Sequence, residues 1–410
     1  MNAVVYKSAL AGRVSAPPSK SCAHRLLIAA ALADGRTVLT GVDPTEAGED
    51  VKATLSGLAA LGASFDIEGE TVRVTPIKPP NANADIDCGE SGSTLRFLLP
   101  LAASLPISAR FTGGGRLPDR PIAELSSQLE RHGAKFDRLQ PLPFTVRGGM
   151  TGGEWTLPGN VTSQYVSGLL FALPRLAETS RIALTSPLES GAYASLTIEQ
   201  IAKFAVRVNE DERGCDIPGG QIYRAPLDPL AVEGDWSGAA YWIAANALGA
   251  SIDIDGLSSD SVQPDRGIVE ALNALRGGAS EIDLSGMPDI APILAVAAAG
   301  MQGARDTIRL TGLSRLRLKE SDRVLAIACG LNALGVRAIE EADALTIPTG
   351  RTFAGGAVDG FADHRIVMAF AIAALFAEAP VTITGAEYVH KSYVRFWRDV
   401  ERLGGKAIFI

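Results

Sequence analysis

The sequence predicts an α+β protein in which one unit of about 60 to 70 residues is used six times. Three observations predict it. Helix-like segments repeatedly stop at glycine, an alternating strand tends to follow the stop, and the longest apolar segments are apolar on every side. The stops read Leu61-Gly62-Ala63, His132-Gly133-Ala134, Leu275-Arg276-Gly277-Gly278-Ala279, Leu334-Gly335-Val336 and Leu403-Gly404-Gly405. A weaker unit near Lys203 to Val208 fills the widest gap between them. Glycine is expected there because the residue that closes a helix takes a left-handed conformation. After the first stop, Ser64 to Glu68, the turn Gly69-Glu70 and Thr71 to Thr75 read as a hairpin of antiparallel strands. Val166 to Leu173, Ala291 to Ala299 and Ile366 to Leu375 have no polar face, so each domain should be filled by helices and faced by sheets.

A chain of 410 residues has room for two domains, each with its own core. Its 47% hydrophobic and 20% charged residues describe a folded protein. Met1 to Leu10 lacks the apolar run of a signal peptide, and no apolar segment reaches membrane-spanning length, so the expected location is the cytoplasm. A net charge of −8 argues against a general nucleic-acid binder. Cys22, Cys88, Cys215 and Cys329 form no CxxC pair, and the four histidines have no zinc-site spacing, so neither a disulfide framework nor a metal is expected.

Four apolar stretches open with a helix-start residue and place a cation within a turn or two. They are Ser19-Lys20-Ser21 running to Arg25, Ser93-Thr94-Leu95-Arg96, Ser321-Asp322-Arg323 and Asp363-His364-Arg365. A helix N-terminus is the positive end of its dipole, so a cation there is unfavourable by about 0.3–1 kcal/mol unless an anion is near. Repeated four times, the pattern points to a small ligand with more than one negative group. Lys20, Arg25, Arg96, Arg120, Arg323, Arg365 and Lys391 are the candidate anion binders. Arg120 stands in Thr112-Gly-Gly-Gly-Arg-Leu-Pro-Asp-Arg-Pro-Ile122, a loop that can bring backbone close to a ligand but matches neither the Walker nor the dinucleotide pattern.

Asp289 in Gly286-Met-Pro-Asp-Ile-Ala-Pro292 and Glu320 in Leu318-Lys-Glu-Ser-Asp-Arg323 each begin an apolar helix in this reading. An acid among cations can serve as general base or acid, since neighbouring charge and burial move its pKa in opposite directions. Hydroxyls in Thr162-Ser163-Gln164-Tyr165 and Ser190-Gly-Ala-Tyr193 could hold a phosphate or a sugar-like ring, or simply cap helices.

Six ordered motifs carry a resemblance. Pro18-Ser-Lys-Ser-Cys-Ala-His-Arg25, Cys88-Gly-Glu-Ser-Gly-Ser-Thr-Leu-Arg96, Asp119-Arg-Pro-Ile122, Lys319-Glu-Ser-Asp-Arg323, Asp363-His-Arg365 and His390-Lys-Ser392 resemble the 5-enolpyruvylshikimate-3-phosphate synthases (3-phosphoshikimate 1-carboxyvinyltransferases) across the whole length. The resemblance implies the enolpyruvyl transferase fold: two globular domains of three βαβαββ repeats each, with the active site in the cleft between them. The first, discontinuous domain would be residues 1–19 with 234–410 and the second residues 20–233. It implies transfer of the enolpyruvyl group of phosphoenolpyruvate to the 5-hydroxyl of shikimate 3-phosphate by addition and elimination, with release of phosphate and no cofactor. The expected working form is a monomer, and the charge and apolar-segment lengths above lead to the expectation that it binds neither nucleic acid nor membrane.

By the same resemblance, Lys20, Gly92, Arg120, Gln164, Arg323, Arg365 and Lys391 would hold phosphoenolpyruvate. Ser21, Arg25, Thr162, Ser163, Gln164, Ser190, Tyr193, Asp289 and Lys319 would hold shikimate 3-phosphate. Asp289, Glu320 and Lys20 would move the protons. Gly92 keeps the phosphoenolpyruvate pocket open, which predicts competitive inhibition by glyphosate. Two positions depart from the family pattern, with Glu90 and Arg315 standing where asparagines are usual. The nearest alternative, UDP-N-acetylglucosamine enolpyruvyl transferase, usually carries a catalytic cysteine in the loop before the shared Arg-Pro; residues 112–120 contain none. A non-catalytic binding protein on the same repeats would be expected to have lost acids or cations, and all of them are present.

Overall fold

The computed structural model describes every residue from Met1 to Ile410 except 44, 45, 47, 212, 303 and 304. The chain divides into two compact units, Lys20–Glu233, and Met1–Ser19 with Gly234–Ile410. Among the described residues the strands form six sheets, three in each unit.

The unit Lys20–Glu233 repeats one four-stranded plan three times. In each sheet two parallel strands, joined in sequence through a helix in two of the three cases, are extended by an antiparallel hairpin. The first sheet runs Leu230–Ala231, Thr37–Thr40, Thr71–Thr75, Ser64–Glu68. The second runs Asn83–Asp87, Ser108–Thr112, Phe144–Arg147, Lys135–Phe136. The third runs Gly153–Leu157, Ser180–Leu184, Gly214–Ile217, Asn209–Asp211. Alternation decides which face is buried: in Thr71–Thr75, Val72 and Val74 point inward while Arg73 is exposed. The helices Lys20–Leu32, Gly92–Ala103 and Ser163–Ala172 are buried along nearly their whole length and fill the core of this unit.

The other unit follows the same plan twice, in Glu281–Asp283, Thr307–Thr311, Ala344–Pro348, Ile339–Glu340 and in Gly356–Val358, Val381–Thr384, Asn2–Tyr6, Lys406–Phe409. Its third sheet has only Ala11–Ser15 and Ser251–Asp255, paired in parallel. The expected unit after Leu275 therefore lacks its hairpin. Helix Ile268–Arg276 ends at Gly278, and the chain goes directly into Glu281–Asp283, the first strand of the next sheet. Asn246 blunts the shortened edge: its side-chain amide donates to the Ile252 carbonyl at 2.8 Å and accepts from the Ile252 N–H at 2.9 Å, replacing one strand partner. Helices Trp236–Ala247, Ala291–Gly300 and His364–Leu375 fill this core.

Seven helix ends share one hydrogen-bond pattern. At Gly62 the N–H bonds to Ala59 and the next N–H to Leu58, and equivalent pairs close the helices at Gly133, Gly249, Gly278, Gly335 and Gly404, all with positive φ. Of Gly277-Gly278, the second takes the left-handed conformation. The seventh end has Ala205 at φ +59° with the same two bonds, from Ala205 to Ala202 and from Val206 to Ile201. Sequence reading saw this unit weakly because its signature glycine is an alanine. Since a Cβ in this conformation costs roughly 1–2 kcal/mol, Ala205→Gly is expected to raise stability by about 1 kcal/mol, read as a higher urea midpoint at unchanged slope.

Candidate active site

In the unit Lys20–Glu233 the anion-binding candidates gather at the starts of three buried helices. Lys20 is the first residue of its helix, and its Nζ lies 2.8 Å from Oδ2 of Asp50. Asp50 is itself held by a buried chain of hydroxyls. Thr94 Oγ1 donates to the Asp50 carbonyl at 3.2 Å and lies 2.7 Å from Thr54 Oγ1, which meets His24 Nδ1 at 2.8 Å. Burial lowers the His24 imidazole from 6.5 to about 3, with Lys20 and Arg25 adding to the effect and Asp50 opposing it. The unfolded chain therefore binds this proton near pH 6.5 and the folded chain only near pH 3. Stability is full above the unfolded value and falls as the pH drops from about 6.5 toward 3. Between pH 7 and pH 5 the wild type is expected to lose roughly 2 kcal/mol more than His24→Asn, measured by urea unfolding.

Helix Gly92–Ala103 starts at Ser91, whose hydroxyl accepts the Thr94 N–H at 3.1 Å. Two guanidinium groups press on its first turn: a Cβ added at Gly92 would lie 2.5 Å from Arg96 Nη1 and 2.9 Å from Arg120 Cζ. Arg96 donates to Gln164 Oε1 at 2.9 Å and to the Pro121 carbonyl at 2.8 Å, and Gln164 Nε2 donates to Ser93 Oγ at 2.9 Å. Arg96 thus fixes both Gln164 and the backbone beside Arg120. Gly168 makes this approach possible, since a Cβ there would lie 2.1 Å from the Arg96 carbonyl.

Thr162 caps helix Ser163–Ala172 by accepting the Gln164 N–H at 3.2 Å, and Ser163 is buried. Arg25 is buried over the Phe97 ring; it donates to Thr197 Oγ1 at 2.8 Å, the Ser21 carbonyl at 2.8 Å and the Tyr193 carbonyl at 2.9 Å. Burial lowers its pKa to about 10, which leaves it charged at neutral pH. Ser190 is held at φ +54°, strained for a non-glycine, and its carbonyl accepts the Tyr193 N–H. Glu90 lies against Gly115 in the glycine loop.

The other unit holds a dense set of opposite charges. Asp289 accepts from Arg323 Nη1 at 3.1 Å and Arg365 Nη2 at 2.9 Å, with Lys319 Nζ at 3.6 Å. Glu320 pairs with Arg323 Nη2 at 2.8 Å and lies 3.8 Å from Lys391 Nζ. Asp363 accepts from Arg323 Nε at 2.8 Å and Ser321 Oγ at 3.0 Å while capping the helix that carries Arg365. Burial opposes the Arg323 charge, but Asp363, Glu320 and Asp289 outweigh it and hold its pKa above the ordinary value. Arg315 donates to the Ser285 carbonyl at 2.8 Å.

Asp289 and Glu320 stand before their helices, not in them. Asp289 lies in the short 3-10 turn Pro288–Ile290, and Glu320 precedes the cap Asp322. The anions expected at the helix starts are in part the protein's own: Asp50 meets Lys20, and Asp363, Asp289 and Glu320 meet Arg323. Sequence reading missed Asp50, Thr197 and Ser237, whose hydroxyl accepts from Arg365 Nη2 at 3.2 Å. Nothing local marks any of them apart from ordinary helix residues. Among the described residues no cluster of His, Cys, Asp or Glu could hold a metal ion, and no helix is long and apolar enough to cross a membrane.

The sequence model of EPSP synthase (3-phosphoshikimate 1-carboxyvinyltransferase) matches residues 4–400. The chain belongs to the EPSP synthase family. A 3-phosphoshikimate 1-carboxyvinyltransferase of Clostridium kluyveri is 39% identical over 97% of this chain and 96% of its own. One from Clostridium perfringens is 38% identical over 98% of each. The solved EPSP synthase of Acinetobacter baumannii has the same fold, with a TM-score of 0.82 over the full length of both chains at 24% identity. The two sets of cations and acids are thus carried by an enolpyruvyl transferase of the EPSP synthase family.

Proposed function

We propose that these two sets of residues catalyse, on this chain, transfer of the enolpyruvyl group of phosphoenolpyruvate to the 5-hydroxyl of shikimate 3-phosphate. The observation that carries the residue assignment is Asp289, an acid held by Arg323, Arg365 and Lys319 at once. A carboxylate held from three sides is fixed in place and aimed by its partners, which suits a group that must meet a substrate hydroxyl in one geometry.

In this reading Lys20, Arg120, Gln164, the Gly92 backbone, Arg323, Arg365 and Lys391 hold phosphoenolpyruvate. Ser21, Arg25, Thr162, Ser163, Gln164, Ser190, Tyr193, Asp289 and Lys319 hold shikimate 3-phosphate. Asp289 and Glu320 share the two proton transfers of the addition, from the 5-hydroxyl and to the methylene carbon, with Lys20 as a further donor. The new C–O bond gives a tetrahedral intermediate; loss of phosphate and of a methyl proton then restores the double bond in the product. Fixed cations stabilise the charge that shifts between carboxylate and phosphate without reorganising. The two compact units are the two domains in this account, and the working form is a cytoplasmic monomer.

Phosphate release from phosphoenolpyruvate is expected with shikimate 3-phosphate as acceptor and not with UDP-N-acetylglucosamine; the reverse preference overturns the reading. Gly92→Ala would push Arg96 and Arg120 off the first helical turn. It is expected to raise KM for phosphoenolpyruvate by roughly tenfold or more and to weaken glyphosate inhibition, with KM for shikimate 3-phosphate nearly unchanged, as read from initial rates.

A further inference from the structure

We propose that Gln263 is a positioning residue for the phosphoenolpyruvate-binding cations, an inference that rests on the functional reading above. Gln263 lies outside every motif that carries the family resemblance, yet it is 4% exposed and its side-chain amide makes three hydrogen bonds. Oε1 accepts from Ser19 Oγ at 3.0 Å and from the Trp236 N–H at 3.2 Å. Nε2 donates to the Gly234 carbonyl at 2.8 Å. These are the two places where the chain leaves this compact unit, after Ser19, and returns to it, at Gly234. Backbone bonding between the same segments, Asp235 N–H to the Pro17 carbonyl at 2.7 Å with a bridge between Pro18 and Gly234, makes them one joint.

Each segment leads directly to a site cation. Ser19 precedes Lys20. Trp236 begins the helix whose second residue, Ser237, receives Arg365 Nη2 at 3.2 Å, while Asp235 caps that helix by accepting the Ser237 N–H at 2.8 Å. One buried amide therefore sets the backbone on which Lys20 starts and the helix end against which Arg365 rests. Only a group with both a donor and an acceptor satisfies all three partners. Glutamate would face the Gly234 carbonyl with an oxygen, and methionine, at similar length, would offer none of the three a hydrogen bond.

The test compares wild type with Gln263→Met and the milder Ser19→Ala, which removes one of the three bonds. KM for phosphoenolpyruvate is expected to rise about ten- to hundredfold in Gln263→Met and less in Ser19→Ala. The Kd for shikimate 3-phosphate alone should rise less than the KM for phosphoenolpyruvate, since of the residues proposed for that substrate only Ser21 lies in the joint. Amide hydrogen exchange at residues 19–22 and 234–238 should speed up in Gln263→Met, a readout independent of turnover. A merely structural role would lower Tm and leave KM for phosphoenolpyruvate unchanged in the folded fraction, and that result overturns the proposal. Should Gln263→Met fail to fold, Ser19→Ala decides by the same KM criterion. A wild type that releases no phosphate overturns the functional reading instead, and unchanged exchange at the joint then overturns the role of Gln263 separately.

Discussion

Asp289→Ala is expected to lower kcat by about 10²- to 10⁴-fold while shikimate 3-phosphate still binds, because the variant loses the proposed proton acceptor but keeps Ser21, Arg25 and the hydroxyls proposed to hold that substrate. The structure adds a second consequence. Asp289 is the common partner of Arg323 and Arg365 and lies near Lys319, so its removal leaves three cations facing each other with one carboxylate fewer. Asp289→Asn separates the two effects. The amide keeps the shape and can still accept from one guanidinium, so binding should recover further than turnover. Initial rates for both variants, with titration of shikimate 3-phosphate, check this. Turnover within tenfold of wild type in Asp289→Ala would remove this acid from the reaction.

Arg323→Met is expected to have the largest effect on folding. The Arg323 side chain is 1% exposed and touches Asp363, Glu320 and Asp289, of which Asp363 is 0% exposed. Removing one member of a buried charge network leaves the others uncompensated, a loss of about 3–5 kcal/mol. Urea unfolding at pH 7 measures the loss. Pairing the change with Asp363→Asn should recover part of the loss, since the two residues share one network. An additive double mutant would contradict the proposed coupling.

Much of the fold was legible because its punctuation is local. A glycine that closes a helix through left-handed backbone is a one-residue signal, and six of the seven matching ends carry it. The seventh, at Ala205, keeps the hydrogen bonds without the glycine, so only its geometry gives it away. The missing hairpin after Gly278 was overlooked for the opposite reason: the stop is present, and what is absent is the pair of strands that elsewhere follows. The cationic helix starts were legible as a conflict between side-chain charge and helix dipole. What resolves that conflict was not, because Asp50 meets Lys20 from another helix and Asp289 reaches Arg365 across 76 residues of sequence. Gln263 is invisible for the same reason, since its partners at Ser19 and Gly234 become neighbours only in the folded chain.

The most direct measurement is calorimetric titration of shikimate 3-phosphate into the protein, first alone and then with glyphosate present. Gln164 is proposed to touch both substrates, and Asp289, proposed for shikimate 3-phosphate, is bound to Arg323 and Arg365, proposed for phosphoenolpyruvate. Filling the second anion site should therefore tighten binding at the first. The account predicts binding in the first titration and a clearly lower Kd in the second. Absence of binding, or a Kd that glyphosate leaves unchanged, would contradict it.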